Sequence, residues 1–184
     1  VYDLTSISKI VSGTICAMKL VDLGLLDINK QVGDYLEFTH GTPYADVNIK
    51  QMLSHSAGFT AWIPFYVKTV KDGKLDPSIY RKEPVPGFTV QVADEVFIMD
   101  SYRDTIWNRI LREPISSDKS YKYSDLTFYF MQEIIETLTH QPLDAYVEEQ
   151  FYMPMGLTTM GYQPLKRLRK LEIAPTEHDK TFRG

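Results

Sequence analysis

A serine and a lysine stand three residues apart near the start of the chain, as Ser6 and Lys9 in the segment LTSISKI. Residues i and i+3 of a helix share one face with their Cβ atoms about 5–6 Å apart, so the lysine amine can reach the serine hydroxyl. A serine hydroxyl is a weak nucleophile until a base takes its proton, and a lysine of lowered pKa can be that base. The spacing therefore predicts Ser6 as an acyl-accepting nucleophile and Lys9 as its base. The simpler alternative is an N-cap serine followed by a solvent-facing lysine.

A second group of polar side chains, Tyr123-Ser124-Asp125, stands where a loop enters a strongly helical segment. At such a junction a phenol and a short polar side chain can project into a cleft. A tyrosine there can relay a proton or donate a hydrogen bond to a leaving group once a nearby lysine lowers its pKa. Because Ser-x-x-Lys arises by chance in most proteins of this size, the catalytic hypothesis depends on this second group.

Helices are predicted to position both groups. Apolar residues recur at near-helical spacing over 6–23, and Gly24 follows where a left-handed cap would stand. Asn48, with Gln three residues on, is a capping-box variant, and the helix that it opens should end near a Ser-Ala-Gly triplet. Two further helices are predicted over 124–138 and 143–151.

The segment 60–90 is dense in helix and strand breakers and is predicted to be a loop excursion. Three aromatic residues in it, Trp62, Phe65 and Tyr66, are candidates for lining a substrate pocket, with core packing as the alternative. Residues 90–112 carry apolar side chains at helical intervals and predict one or two amphipathic helices. One short strand is expected near 171–175. The fold prediction is therefore mainly α, with residues 1–184 forming a single region.

Composition excludes several classes of function. The chain has 184 residues, 43% hydrophobic, with a formal net charge of −4, which argues against a nucleic-acid binder. No apolar run reaches the roughly 18 residues of a membrane span. One cysteine cannot form an internal disulfide, and the histidines are too scattered to predict a metal site. No cofactor is predicted. The histidines are His40, His55, His140 and His178, and for His55 a structural place at a helix end is preferred to catalysis.

The segment YDLTSISKIVSGT resembles the nucleophile helix of the serine beta-lactamase and penicillin-binding protein family, especially its class C-like branch. NIKQMLSHSAGF resembles the helix and turn that follow in that branch, YKYSD its tyrosine motif, and FYMPMGLTTMGY the segment after the next helix. Together these segments cover most of residues 2–163, in the family's order. The resemblance implies the helical lobe of the beta-lactamase/transpeptidase-like α+β fold, with most of the antiparallel sheet outside this segment.

Carried over to this sequence, the resemblance implies that Ser6 is acylated, that Lys9 activates it and that Tyr123 assists proton transfer. Asp125 stands where the family usually has Asn. An amide can donate to a substrate carbonyl, whereas a carboxylate only accepts and would pair with Lys9, raising the pKa of the lysine and opposing its role as free base.

The family's third motif, Lys-Thr-Gly or His-x-Gly, has no match, because Lys180-Thr181-Phe182 lacks the glycine. We therefore expect a fragment of a larger, periplasmic or secreted enzyme, weak or inactive alone, with the rest of the parent chain as its partner. The expected activity is hydrolysis of a small-molecule or peptide amide or ester through an acyl-enzyme. The alternative is a non-catalytic ligand-binding or interaction lobe that retains the fold. The sequence leaves the substrate and the oligomeric state open.

Overall fold

A computed structural model describes residues 1–176 of the chain, so His178 and the segment Lys180-Thr181-Phe182 lie outside the described residues. The described chain divides into two compact units. The first comprises Val1–Trp62 and Pro114–Pro175, and the second comprises Ile63–Glu113 and Thr176. The prediction of one region over 1–184 stays a prediction.

Helices follow most of the predicted positions. In chain order they are α1 (Ile15–Asp22), α2 (Ile49–Leu53), α3 (Tyr102–Ile110), α4 (Leu126–Thr139) and α5 (Leu143–Val147). Two π-helical segments, Lys9–Thr14 and Glu148–Tyr152, are continuous with α1 and α5. Short 3-10 turns occupy Val32–Asp34, Glu37–Thr39, Phe65–Thr69, Pro164–Lys166 and Lys170–Glu172.

The caps of these helices explain where they begin and end. Gly24, which follows α1, has a φ of 71°, as expected of a left-handed terminator. The Asn48 side chain accepts from the backbone N of Gln51 at 3.2 Å and so begins α2. At the end of α4, His140 takes the left-handed conformation, and Pro142 prevents continuation.

The core of the first unit lies between α4 and the N-terminal helical run. Phe130 of α4 stacks on Tyr44 with ring centroids 5.1 Å apart, and Phe59 completes the cluster at 5.6 Å from Phe130. Cys16 and Leu20 of α1 are fully buried. Burying an aliphatic or aromatic side chain of this size stabilises the fold by about 1.5–3 kcal/mol, so these buried side chains of α1 and α4 contribute to the stability of the first unit.

The N-terminal helical run is apolar on two sides. One side, which includes Cys16 and Leu20, is buried, whereas Ile7, Ile10 and Met18 are 57%, 57% and 65% exposed. A helix that is hydrophobic all round is typical of burial on all sides, and within residues 1–176 only one side of this run is covered.

The second unit contains the strands of the described chain. β1 (Val70–Lys71) pairs antiparallel with β2 (Lys74–Leu75), and β3 (Tyr80–Arg81), β4 (Val90–Ala93) and β5 (Val96–Ile98) form an antiparallel sheet in the order β3-β5-β4.

Two predictions of secondary structure are wrong. Residues 90–98 form β4 and β5 rather than a helix, with Asp94-Glu95 as the turn. Glu95 takes a left-handed φ of 53° in this turn, and the pairing of β4 with β5 shifts register between Gln91 and Ala93. Residues 171–175 form no strand, because a 3-10 turn occupies Lys170–Glu172. The described residues thus combine helices with two small antiparallel sheets, as a partial α+β fold does, and the mainly α description stays a prediction. No helix within residues 1–176 is long and apolar enough to cross a bilayer.

Candidate active site

Ser6 is an exposed residue directly before the first helical turn. The backbone that leads into it is held by Asp3, whose carboxylate accepts from the backbone N of Thr5 at 2.8 Å. Thr5 has a φ of 47°, which is unusual for a β-branched residue. The carbonyl of Ser6 accepts from the backbone N of Lys9 at 3.1 Å, so the first turn places both side chains on one face of the helix.

Lys9 has three partners. Its Nζ donates to Ser6 Oγ at 3.0 Å and lies 2.8 Å from Asp125 Oδ1. The same Nζ lies 5.4 Å from the centroid of the Tyr123 ring. The lysine side chain is 18% exposed and that of Asp125 is 41% exposed. The predicted residues Ser6, Lys9, Tyr123 and Asp125 therefore lie together within the first unit.

The pKa of Lys9 reflects opposing influences. Partial burial lowers it, but hydrogen bonds to Asp125 and Tyr123, together with the charges of those two groups, outweigh burial and leave the pKa above its ordinary value. Lys9 is therefore an ammonium group that donates to Ser6. The pairing expected from an aspartate at position 125 is present.

The tyrosine motif is attached to the loop that follows α2. Ser124 Oγ donates to the carbonyl of Thr60 at 2.6 Å, and the backbone N of Asp125 donates to the carbonyl of Ala61 at 2.8 Å. Ser124 is buried, so its hydroxyl is a structural anchor rather than a group that points into the site. These two bonds set the position of the Asp125 carboxylate relative to Lys9.

His55 also lies at this site, although its sequence position predicted only a structural place at a helix end. Its Nδ1 accepts from the backbone N of Ser124 at 3.2 Å, and its ring lies 4.7 Å from that of Tyr123, centroid to centroid. Burial, followed by the positive charge of Lys9, lowers the pKa of His55, although the charge of Asp125 acts in the opposite direction. The signal that could have found it is its place in the LSHSAGF segment, between α2 and the loop that holds the motif.

The three aromatic candidates for substrate binding are close in sequence but belong to two different units. Trp62 belongs to the first unit, is 55% exposed and directly follows Ala61. Phe65 and Tyr66 belong to the second unit, where they begin a 3-10 turn. Their binding role stays a prediction. Among residues 1–176, no group of three or more His, Cys, Asp or Glu side chains is arranged to hold a metal ion.

A family model described as Beta-lactamase matches residues 1–176, which is nearly the whole chain. The chain belongs to the Beta-lactamase family. This confirms the resemblance drawn from the nucleophile helix, the tyrosine motif and the segments between them.

Among curated relatives of this Beta-lactamase family chain is a protein of Escherichia coli (strain K12) named "Putative D-alanyl-D-alanine carboxypeptidase". It is 29% identical over 185 residues, which cover 96% of this chain and 37% of the relative. A protein of the same name from Salmonella paratyphi A is 30% identical, with coverage of 100% and 39%. The chain thus spans less than two fifths of the length of these relatives.

Solved structures share the fold. The penicillin-binding protein of Bacillus halodurans matches with a TM-score of 0.59 at 17% identity, over 90% of this chain and 44% of that one. The class C beta-lactamase of Rhodobacter sphaeroides matches with a TM-score of 0.57 at 15% identity, over 84% and 35%. The Beta-lactamase family chain described here therefore has part of the α+β fold of those proteins.

Proposed function

We propose that the protein is a serine hydrolase in which Ser6 forms an acyl-enzyme with an amide or ester substrate. The observation that carries the proposal is the contact of 3.0 Å between Lys9 Nζ and Ser6 Oγ. A base within this distance can take the hydroxyl proton directly as the oxygen attacks a carbonyl carbon. The membership of the Beta-lactamase family supports the same chemistry.

The proposed reaction begins once Lys9 has lost its proton. Neutral Lys9 then accepts the proton of Ser6 while Ser6 Oγ bonds to the substrate carbonyl carbon, giving a tetrahedral oxyanion. Tyr123, whose ring lies beside Lys9 Nζ, passes a proton to the leaving amine or alcohol as the carbon–heteroatom bond breaks. Water then attacks the acyl-serine and gives its proton to the Tyr123 phenolate, while Lys9 returns a proton to Ser6 Oγ as the ester bond breaks and the acid product leaves.

The substrate class is proposed from the relatives. Two curated relatives carry the name of a D-alanyl-D-alanine carboxypeptidase, and solved structures with the same fold include a D-stereospecific amidohydrolase from Streptomyces. We propose a peptide of the cell wall, a beta-lactam or a small ester as the substrate. A cell-wall substrate would place the protein outside the cytoplasm.

One observation favours a second candidate, a ligand-binding lobe without catalysis. The salt bridge of 2.8 Å to Asp125 helps to keep Lys9 protonated, and a protonated lysine cannot take the proton of Ser6. In this case the Ser6 region binds a carbonyl compound but forms no covalent bond with it.

Covalent labelling separates the two candidates. The full-length protein is incubated with a fluorophosphonate, and the modified peptide is located by mass spectrometry. We expect an adduct on Ser6 that is absent from Ser6→Ala and retained in Ser8→Ala, because Ser8 lies two residues further along the same helix. A folded protein that gives no adduct with the fluorophosphonate or with penicillin, or an adduct that persists in Ser6→Ala, contradicts the hydrolase proposal.

A further inference from the structure

His55 lies in a backbone conformation that few residues adopt without strain. It follows α2 with a φ of 55°, in the left-handed region, where His, Asn and Asp are enriched over other non-glycine residues. Its backbone N donates to the carbonyl of Met52 at 3.1 Å. The conformation ends α2 and directs the chain into the turn that leads to Thr60 and Ala61.

The residues on either side of Tyr123 both donate to His55. The backbone N of Lys122 donates to the His55 carbonyl at 2.9 Å, and the backbone N of Ser124 donates to His55 Nδ1 at 3.2 Å. The imidazole also lies against the Tyr123 ring, with centroids 4.7 Å apart and the planes tilted by 45°. One residue thus holds the backbone before and after the tyrosine and contacts its ring.

We infer that His55 is a positioning residue which, in its neutral form, holds Tyr123 and Asp125 in place against Lys9. The inference rests on the proposed function of Ser6 and Lys9. Nδ1 can accept from the backbone N of Ser124 only when it carries no proton. When His55 is protonated, Nδ1 becomes a donor that faces the N–H donor of Ser124, so the hydrogen bond between them is lost.

The surroundings of the imidazole act on its protonation in opposite directions. Lys9 contributes positive charge from the N-terminal helical run, while Asp125 contributes negative charge. Tyr121 and Tyr123 face the ring from the motif segment, and Thr127 Oγ1 of α4 lies 3.4 Å from Nδ1. Burial and the charge of Lys9 prevail, so the pKa of His55 lies below its ordinary value and the imidazole is neutral at pH 7.

Two substitutions separate the acceptor from the backbone conformation. His55→Asn keeps an acceptor oxygen near the position of Nδ1 and tolerates a positive φ, whereas His55→Gly tolerates the φ but has no acceptor. His140 provides matched controls, because it is an exposed histidine with the same φ of 55° that ends α4, more than a dozen residues from the motif. His140→Asn and His140→Gly change the same kind of backbone position outside the site.

The rate at which Ser6 of the full-length protein is labelled by a fluorophosphonate is the first measurement. We expect the labelling rate of His55→Gly to be lower than that of the wild type by a factor of about ten or more. The rates of His55→Asn and of both His140 variants should stay within about threefold of the wild-type rate. Equal rates for folded His55→Gly and the wild type overturn the inference. If the wild type itself is not labelled, the proposed function fails, and the second measurement decides the inference separately.

The second measurement is nitrogen-15 NMR of the histidine rings against pH. We expect His55 to carry its proton on Nε2, to titrate below pH 6.5 and to shift the amide signal of Ser124 with the same midpoint. In the labelling assay, a plot of the logarithm of the wild-type rate against pH should have a steeper slope below the His55 midpoint than above it. The same plot for His55→Asn should have no such change of slope. A proton on Nδ1 at pH 7, or an unchanged steep part in His55→Asn, contradicts the inference.

Discussion

Replacing Asp125 by asparagine tests the assignment of Lys9 as base. The substitution keeps a side-chain oxygen of similar shape but removes the negative charge that lies 2.8 Å from Lys9 Nζ. That charge stabilises the ammonium form of Lys9, so its removal lowers the pKa of the lysine. Neutral Lys9 then becomes available at lower pH, so the rate of Ser6 labelling should begin to rise at lower pH than in the wild type.

The size of the shift follows from the distance and the exposure. Two unit charges 2.8 Å apart attract each other by about 1.5 kcal/mol at the dielectric constant of water and by about 6 kcal/mol at an effective value near 20. Because the Asp125 side chain is 41% exposed, solvent screening brings the interaction close to the lower figure. One pKa unit corresponds to about 1.4 kcal/mol, so we expect the Lys9 pKa to fall by about one unit.

The assay is the second-order rate of Ser6 labelling by a fluorophosphonate, measured from pH 6 to 11 in the full-length protein. In Asp125→Asn the rising part of the profile should lie about one pH unit lower than in the wild type, so the variant reacts about tenfold faster where both profiles still rise. Glu172→Gln is the matched control, because it removes one negative charge from an exposed pair with Arg169. Its profile should match that of the wild type.

Two results would refute the reasoning. A profile that does not move in Asp125→Asn means that the lysine is not the group whose deprotonation limits the rate. A shift of equal size in Glu172→Gln means that net charge, rather than the Lys9–Asp125 pair, sets the midpoint.

Three further predictions concern stability and reactivity. Gly13→Ala places a Cβ 2.8 Å from Phe128 Cδ1, so the free energy of unfolding measured in urea should fall by about 1–3 kcal/mol. The double variant Gly13→Ala/Phe128→Leu should recover part of this stability, and an unchanged free energy of unfolding in Gly13→Ala would contradict the close packing. The pKa of Asp76 is lowered to about 2, first by its hydrogen bond from Lys71, so its carboxylate stabilises the fold above its unfolded pKa near 3.8. The urea midpoint of Asp76→Asn should lie below that of the wild type at pH 6, and the difference should shrink as the pH falls towards 2. Burial raises the pKa of Cys16 to about 12, so iodoacetamide at pH 8 should modify the thiol only after unfolding, as mass spectrometry can show.

The site was easier to predict from the sequence than the second unit. Ser6 and Lys9 are close because of a local helical turn, and such a contact follows from spacing alone. Tyr123 and Asp125 reach Lys9 across more than a hundred residues, and only the resemblance to a family joined them to it. The link through His55 is a long-range bond to a backbone N, which residue spacing does not predict, and only the place of His55 in the LSHSAGF segment pointed to it.

The error over residues 90–112 has a physical cause. Val92, Val96 and Met99 fit a spacing of three to four residues, but Val90 and Val92 also fit the alternation of a strand. Pairing of β5 with both β3 and β4 decides between these periods, and that pairing depends on residues 80–81, which are remote in sequence. The helical prediction over 102–110 is confirmed as α3, which lies beyond the paired residues.

The π-helical segment Lys9–Thr14 sets the direction of Ser6 around the helix axis relative to the buried side of α1. A π turn accommodates one residue more than an α turn, and one residue rotates an α-helix by about 100°. Ser6 lies before this segment, whereas the core anchors Cys16 and Leu20, which are buried side chains of α1, lie after it. Deleting one residue within 10–14 would therefore restore an α-helix with Ser6 and the core anchors in nearly the same phase, whereas deleting one residue of α1 between this segment and Leu20 would rotate Ser6 by about 100° relative to Leu20. The reach of Ser6 towards its partners is thus a matter of helical phase as well as of side-chain type.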